Sequence, residues 1–223
     1  MKPIIIGLTP RVMNNAEKVQ LNYSYLQPFN KRSVATIILP LGSNELDTIL
    51  PLCDGFLIAG GDDIDPKYYN QINEGLSKDV CPLIDDLDKA VIEYAYKNHK
   101  PMLGICRGIQ SLAAFLGGDL HQDIEHAKLT HTVENNVHDV VKVASTPLTD
   151  LMPDNYQINS YHHQVVKQVP KDFIVTYMHD DVIEGMEHKT LPIIGFQWHP
   201  ERLATKETEI IFDYFIDLVK KAH

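Results

Sequence analysis

Residues 101–110 have the sequence PMLGICRGIQ, in which a short apolar run leads into a cysteine set between two glycines. The run 101–105 predicts a buried strand, and residues 107–116 predict a helix that ends before a glycine pair. Cys106 therefore falls at the turn between strand and helix. A glycine two positions before it and another two positions after it give the spacing of a nucleophile elbow, a sharp turn that needs neighbours without side chains.

Cys106 is the candidate nucleophile of the chain. The N-terminus of a helix favours the thiolate form of a cysteine, and the carboxyl end of a parallel strand is where open α/β sheets place ligands. The alternative is a structural cysteine, since cysteine is among the most buried residue types. The glycine spacing favours the nucleophile. Cys53 is expected in the core and Cys81 in a loop, because neither has an elbow around it.

The rest of the chain predicts an α/β fold, in which an open, mostly parallel sheet lies between two layers of helices. Strand-like and helix-like segments alternate in the first half, and the apolar strands are nearly continuous, as in a sheet covered on both faces. The second half is richer in strands and predicts a small antiparallel side sheet. The expected helices are 22–34, 44–52, 85–99, 107–116 and 205–221, and the expected strands are 2–9, 36–41, 55–59, 101–105, 137–144, 156–161, 173–179, 182–187 and 193–198.

His199 is the candidate base among eleven histidines, because Trp-His-Pro-Glu follows the apolar run 193–196. Pro200 biases the residue before it toward an extended conformation. In an extended segment, residues two apart point to the same side, so Glu201 could orient the imidazole while the other ring nitrogen faces a thiol. A strand-end histidine beside a solvated glutamate is the alternative, and only the combination with the cysteine elbow favours the triad.

The remaining histidines give no convincing zinc pattern, so no metal and no cofactor are expected. His162 and His163 are adjacent and would point to opposite faces of a strand. His126, His131 and His138 are loosely spaced compared with zinc-binding motifs.

Composition limits the class of protein. The 223 residues suit one globular domain, residues 1–223, and the net charge of −10 disfavours nucleic acid and anionic membranes as partners. No apolar stretch is long enough for a signal peptide core or a membrane span. Three cysteines are too few for a disulfide framework and suit a reducing compartment, so a cytoplasmic location is expected.

Six segments, in this order along the chain, together resemble the class I glutamine amidotransferase-like family, and within it most closely the γ-glutamyl-γ-aminobutyrate hydrolases. The segments are IIIGLTPR (4–11), GFLIAGGDDIDP (55–66), GICRGIQ (104–110), LGGDLHQDI (116–124), NSYHHQ (159–164) and GFQWHPE (195–201). The resemblance implies the flavodoxin-like glutamine amidotransferase fold. It also implies a hydrolase that cleaves a γ-glutamyl amide through a cysteinyl thioester, with a small γ-glutamyl substrate and water as its reactants.

The resemblance also implies roles for individual residues. Cys106, His199 and Glu201 would form the catalytic triad. The turn at Gly60 and Gly61, together with the backbone N–H of Arg107, would form the oxyanion hole. The glutamyl group would be held by the side chain of Gln110 and by the backbone around three further residues, Tyr161, His162 and His163.

Several alternatives stay open at this point. The chain could instead be a glutaminase subunit that delivers ammonia to a separate synthetase, or a relative without catalysis, although the complete triad disfavours the latter. Residues 12–22 are short for this family and the usual Pro-Gly-Gly is Ala59-Gly60-Gly61 here, so the leaving amine is undetermined. The pathway is also undetermined, and a homodimer is compatible with the sequence.

Overall fold

The computed structural model describes residues 3–13 and 17–222 of the chain. Its central feature is a sheet of nine strands among these residues, and four further strands form two small pairs. In chain order the thirteen strands are β1 (Ile5–Leu8), β2 (Arg11–Met13), β3 (Lys18–Gln20), β4 (Ala35–Ile38), β5 (Gly55–Ile58), β6 (Met102–Ile105), β7 (Asp119–His121), β8 (Val137–Lys142), β9 (Asn155–Asn159), β10 (Val165–Gln168), β11 (Phe173–His179), β12 (Val182–His188) and β13 (Ile193–Phe196).

The order of strands in the sheet is β4-β1-β5-β6-β13-β12-β11-β8-β9. The first five are parallel to one another, whereas the strands from β12 to β9 continue the same sheet with antiparallel pairing. The strands of the second half thus extend the main sheet. The small antiparallel sheets that lie beside it are the pairs β7–β10 and β2–β3, whose strands the sequence did not indicate.

Helices cover both faces of the sheet, as predicted. They are α1 (Gln27–Asn30), α2 (Leu46–Ile49), α3 (Pro82–Lys97), α4 (Arg107–Phe115) and α5 (Lys206–Ala222). Phe29 of α1 and Phe212 of α5 belong to the apolar core on one face. Leu87 of α3 and Leu112 of α4 belong to the core on the other. The layers follow from burial of the apolar face of each long helix.

The predicted helix over residues 22–34 is wrong in its extent. The structure has a single 3₁₀ turn, Tyr23–Tyr25, followed by the four residues of α1. Pro28 lies in the first turn of α1, where its missing N–H is harmless, but Ser33 adopts a φ of 55° that no helix continues through. The predicted strand over 2–9 corresponds to β1, and its first residue lies outside the described part of the chain.

Parallel pairing gathers the predicted site residues at one edge of the sheet. β5, β6 and β13 are adjacent and parallel, with Ile105 opposite Phe196 in register. Their carboxyl ends therefore emerge side by side, where open α/β sheets bind ligands. Cys106 and His199 follow β6 and β13 respectively, and the backbone N–H of Cys106 donates to the Phe196 carbonyl at 2.8 Å.

Candidate active site

Cys106 occupies a strained turn between β6 and α4. Its backbone has φ 54° and ψ −110°, a region that residues with a side chain seldom adopt. The flanking glycines are sterically required. A Cβ at Gly104 would lie 2.7 Å from the Gly108 carbonyl, and one at Gly108 would lie 2.1 Å from the Ile58 carbonyl oxygen. The predicted elbow is therefore present, and its glycines let the turn pack on β5 and α4.

His199 contacts Glu201 through its Nδ1 atom, which lies 2.8 Å from the Glu201 Oε1 atom. Glu201 lies in a 3₁₀ turn, Pro200–Arg202, and this turn brings its carboxylate to the imidazole. The contact therefore does not depend on the extended geometry expected from the sequence. Asn159 holds the backbone of His199 from both sides, since its Oδ1 accepts from the His199 N–H at 2.8 Å and its Nδ2 donates to the His199 carbonyl at 2.9 Å.

The charge on His199 is set by its two neighbours. Burial alone would lower the pKa of the imidazole, but the charge and hydrogen bond of Cys106, together with those of Glu201, outweigh burial and raise this pKa to about 9. At neutral pH the imidazolium is therefore favoured between a sulfur and a carboxylate. Because Nδ1 faces Glu201, Nε2 is the ring nitrogen left to serve the thiol.

Gln197 is a site residue that the sequence reasoning missed. Its Nε2 lies 3.8 Å from the Cys106 sulfur, within the range of a weak hydrogen bond to sulfur. Gln110, which was expected to hold substrate, donates from Nε2 to Gln197 Oε1 at 3.2 Å and to the Gln164 carbonyl at 2.7 Å. The amide nitrogen of Gln110 is thus used within the protein, although the residue lines a small cleft that also reaches Cys106. Strand alternation could have revealed Gln197, since residues 197 and 199 share a side.

Gly60 does not offer the backbone donor expected of it, because its N–H donates to the Tyr25 hydroxyl at 2.9 Å. Its role is instead spatial, since a Cβ there would lie 2.8 Å from Cε1 of His199 and 3.3 Å from Cβ of Cys106. Among the hydrogen bonds of the described residues, none uses the backbone N–H of Gly61 or of Arg107. Those two predicted donors stay available to a ligand.

A buried network of ion pairs lies beside the turns that carry Gly60 and Cys106. The Arg107 side chain is 2 % exposed and pairs with Asp85 at 2.5 Å and with Asp88, so it is not a surface charge. Arg11 also pairs with Asp88, at 3.2 Å, and donates from Nε to the Gly60 carbonyl at 2.7 Å. Arg11 therefore fixes the backbone of the Gly60 turn and Arg107 ties the start of α4 to α3, and no sequence pattern singled out Arg11 for this role.

The side chains of the segment Tyr161 to His163 have three different environments. Tyr161 is 53 % exposed, its ring centroid lies 6.0 Å from that of His199, and the Arg202 guanidinium lies 5.4 Å from the Tyr161 ring. The His162 side chain is buried, and its Nε2 lies 3.7 Å from Glu184 Oε1. His163 bridges two carboxylates, Asp63 at 3.0 Å and Asp123 at 3.1 Å.

A family model described as Peptidase C26 matches residues 5–201. The chain belongs to the peptidase C26 family, within the class I glutamine amidotransferase-like proteins. The glutamine amidotransferase-like protein YvdE of Lactococcus lactis is 30 % identical over 194 residues, which cover 83 % of this chain and 81 % of YvdE. The γ-glutamyl-γ-aminobutyrate hydrolase PuuD of Escherichia coli is 29 % identical over 77 % of this chain and 74 % of PuuD.

The fold is shared with solved glutamine amidotransferases. A crystal structure of such a protein from Thermotoga maritima superposes with a TM-score of 0.65 at 17 % identity, over 99 % of this chain and 86 % of that one. The peptidase C26 assignment and this likeness agree with the α/β fold predicted from the sequence.

Two clefts meet at the thiol of this peptidase C26 member. The larger, of about 850 Å³, and the smaller, of about 230 Å³, both reach Cys106 and Tyr161. Burial raises the pKa of Asp62, which lines both clefts, and the charge of Asp79 adds to this effect. The other acidic and basic side chains that line the larger cleft are those of Arg11, Asp79, His199 and Arg202. Those that line the smaller cleft are the side chains of Asp63, Lys78, Asp79, His162 and His163.

Away from these clefts, the structure brings together side chains that the sequence left scattered. His131, His138, His162 and Glu184 place one ligand atom each within 4.8 Å of one another, an arrangement that could hold a metal ion. The expectation of no metal ligands did not foresee this cluster, because its members come from four separate segments. In the part of the chain that the structure describes, no helix is long and apolar enough to cross a membrane.

Proposed function

We propose that this protein hydrolyses the γ-glutamyl amide bond of a γ-glutamyl amine through a cysteinyl thioester. The observation that carries the proposal is the position of His199, hydrogen-bonded to Glu201 at 2.8 Å and adjacent to the Cys106 thiol, where these two neighbours raise the pKa of the imidazole. An imidazolium next to a nucleophilic sulfur supplies both the thiolate and the proton that a leaving amine needs.

The reaction follows from these positions. The Cys106 sulfur attacks the γ-carbonyl carbon, and the developing oxyanion accepts hydrogen bonds from the backbone N–H groups of Gly61 and Arg107. One such donor is worth about 3–4 kcal/mol of transition-state stabilisation. His199 gives its proton to the leaving nitrogen, the carbon–nitrogen bond breaks and a thioester forms. His199 then takes a proton from water, which attacks the thioester, releases glutamate and restores the thiolate and the imidazolium.

Each of the two clefts would hold one part of the substrate, with the scissile amide bond at the thiol. The smaller cleft has carboxylates for the α-amino group of a glutamyl residue, and Lys78 for its α-carboxylate. The larger cleft then receives the amine, and it has room for more than ammonia. Its charged side chains include two carboxylates and Arg202, so leaving amines that end in either charge are candidates. The similarity to PuuD supports γ-glutamyl-γ-aminobutyrate among them.

A glutaminase subunit that supplies ammonia to a synthetase is the second candidate. The likeness to a solved glutamine amidotransferase and to YvdE favours it. The two functions differ in what the larger cleft must do, since a glutaminase releases only ammonia from glutamine. They can therefore be separated by the substrate that the purified chain turns over alone.

The test offers the purified chain three substrates without ATP or a second protein: γ-glutamyl-γ-aminobutyrate, a γ-glutamyl amine with a cationic tail, and glutamine. Glutamate and free amine are measured by mass spectrometry, with Cys106→Ser as the control for background hydrolysis. Adding hydroxylamine should divert the thioester to the γ-glutamyl hydroxamate. Turnover of a γ-glutamyl amine above glutamine supports the proposal. Turnover of glutamine alone, or only with a partner protein, contradicts it.

A further inference from the structure

We propose that His131, His138, His162 and Glu184 form a four-coordinate structural site for a divalent transition metal, with Zn²⁺ as the ion that fits best. The site contains no member of the catalytic triad, and of its four residues only His162 lines one of the two clefts, the smaller one. It draws on strands β8 and β12, on the loop that carries His131 and on the segment after β9.

The distances within the cluster match a tetrahedral ion better than a hydrogen-bonded group. The Nε2 atoms of the three histidines, His131, His138 and His162, lie 3.6, 3.4 and 3.7 Å from the Glu184 Oε1 atom. N–H···O hydrogen bonds are usually 2.7–3.2 Å long. A tetrahedral Zn²⁺ with bonds of about 2.0–2.1 Å separates its ligand atoms by roughly 3.3–3.4 Å. Small side-chain movements would therefore close the site around an ion.

Burial leaves the polar atoms of the cluster without partners. The side chains of Glu184, His138 and His162 are 0 %, 1 % and 2 % exposed. Among the described residues no hydrogen bond reaches either carboxylate oxygen of Glu184, the Nε2 of His138 or the Nε2 of His131. A buried carboxylate whose polar neighbours are imidazole nitrogens at 3.4–3.7 Å is costly, and a cation at the centre would satisfy all of these atoms together. Of the four ligand atoms in the described cluster, only His162 Nε2 has a hydrogen-bond partner, the Ser160 hydroxyl at 3.2 Å.

A second layer of contacts orients the ligands. His138 Nδ1 lies 3.3 Å from the Asp139 carbonyl, which fixes the proton on Nδ1 and leaves the Nε2 lone pair directed at the centre. His179 stacks on His138 with ring centroids 3.9 Å apart. Its two ring nitrogens contact the carbonyls of Asp139 at 2.7 Å and Thr132 at 2.8 Å, and so brace the backbone next to His131.

The composition of the site indicates a structural ion. Three imidazoles and a carboxylate are ligands typical of Zn²⁺, and four protein ligands leave no open position for water or substrate. The consequence concerns the segment that joins the two sites. His162 would be fixed by the ion, and Tyr161 immediately before it faces the clefts beside His199. A bound ion would hold that segment against the edge of the sheet.

The test uses the full chain without an affinity tag, in a Cys106→Ala background so that the active-site thiol cannot bind zinc. The protein is stripped with dipicolinate, exchanged into chelator-free buffer and titrated with ZnCl₂. Bound zinc is measured by elemental mass spectrometry after gel filtration, and the melting temperature is recorded with and without zinc. We expect one zinc per chain and a higher melting temperature. Binding of Co²⁺ should give the visible absorption of a tetrahedral ion.

Two variants remove ligands, His138→Ala and Glu184→Gln, and His126→Ala is the matched control. His126 is an exposed histidine that pairs with Glu74 and lies outside the cluster. The ligand variants should weaken zinc binding by about 100-fold or more, whereas the control should bind as the background does. If the ligand variants fail to fold, the stoichiometry of the background protein decides. Zinc well below one per chain, or equal zinc binding by His138→Ala and His126→Ala, would overturn the proposal. In that case a protonated imidazole of the cluster would neutralise the charge of Glu184.

Discussion

Replacement of Glu201 by glutamine tests the triad most directly, because the change keeps the shape of the side chain and removes its charge. The carboxylate is fully buried, and its Oε1 lies 2.8 Å from His199 Nδ1. A hydrogen bond to a charged group contributes about 1.5–3 kcal/mol. At 1.36 kcal/mol per pKa unit, its loss should lower the pKa of His199 by roughly one to two units from about 9.

The sign of the pH effect follows from the form that His199 must take. The imidazolium donates the proton to the leaving amine, so activity persists below the pKa of His199 and is lost as the pH rises through it. In Glu201→Gln this basic limb should therefore move to lower pH by about one to two units. The variant should also lose about two to four orders of magnitude in kcat, because a neutral amide stabilises the imidazolium poorly and can favour the wrong tautomer.

The assay is glutamate release as a function of pH for the wild type, for Glu201→Gln and for a control, Glu93→Gln. Glu93 is exposed on α3, where it pairs with Lys89, and it lines neither substrate cleft. KM should change little, since Glu201 lines neither substrate cleft. A basic limb at the wild-type pH, with kcat within a few-fold of wild type, would show that the carboxylate does not act on His199 and would refute the triad assignment.

Three stability predictions follow from the packing around the elbow, each measured by urea denaturation. Gly108→Ala should lose at least about 3 kcal/mol of unfolding free energy, because its Cβ would lie 2.1 Å from the Ile58 carbonyl oxygen; an unchanged midpoint would contradict the steric argument. Tyr25→Phe should lose about 1–3 kcal/mol, because the Gly60 N–H loses its acceptor, and no loss would mean that water replaces the hydroxyl. Asp88→Asn should lose about 3–5 kcal/mol, because two buried arginines lose a shared carboxylate, and a smaller change would show that Asp85 suffices.

Local patterns in the sequence were sufficient for the parallel half of the fold. Continuous apolar runs gave β5, β6 and β13 to within about two residues, and the elbow between β6 and α4 followed from two glycines. The helix over 22–34 failed because its apolar spacing was outweighed by Ser33, whose positive φ could not be foreseen from residue type. The sequence predicted a mostly parallel sheet with a small antiparallel side sheet, and both are present, but it does not state which strand lies beside β13.

The site was predictable where its residues are close in sequence and unpredictable where they meet only in space. His199 and Glu201 are two apart, and a tight contact between them is a local property. Gln197 donates to a sulfur 91 positions away, so strand alternation could suggest the side on which Gln197 lies but not its partner. Arg11 reaches a glycine carbonyl 49 positions away, and that contact has no sequence signature. The same reason hid the histidine cluster around Glu184, which the fold assembles from β8, β12, the loop that carries His131 and the segment after β9.

The buried arginines explain how the elbow keeps its strained geometry. A positive φ at Cys106 costs free energy and persists only where the surroundings determine it. Arg107 is the first residue of α4, directly after Cys106, and its side chain runs back to the carboxylates of α3. Arg11 holds the facing turn through the Gly60 carbonyl and meets the same Asp88. Buried ion pairs seldom stabilise a fold more than apolar packing would, so the contribution of these pairs lies in orientation. The Asp88 carboxylate holds both Arg11 and Arg107, and through them the two turns between which an oxyanion would form.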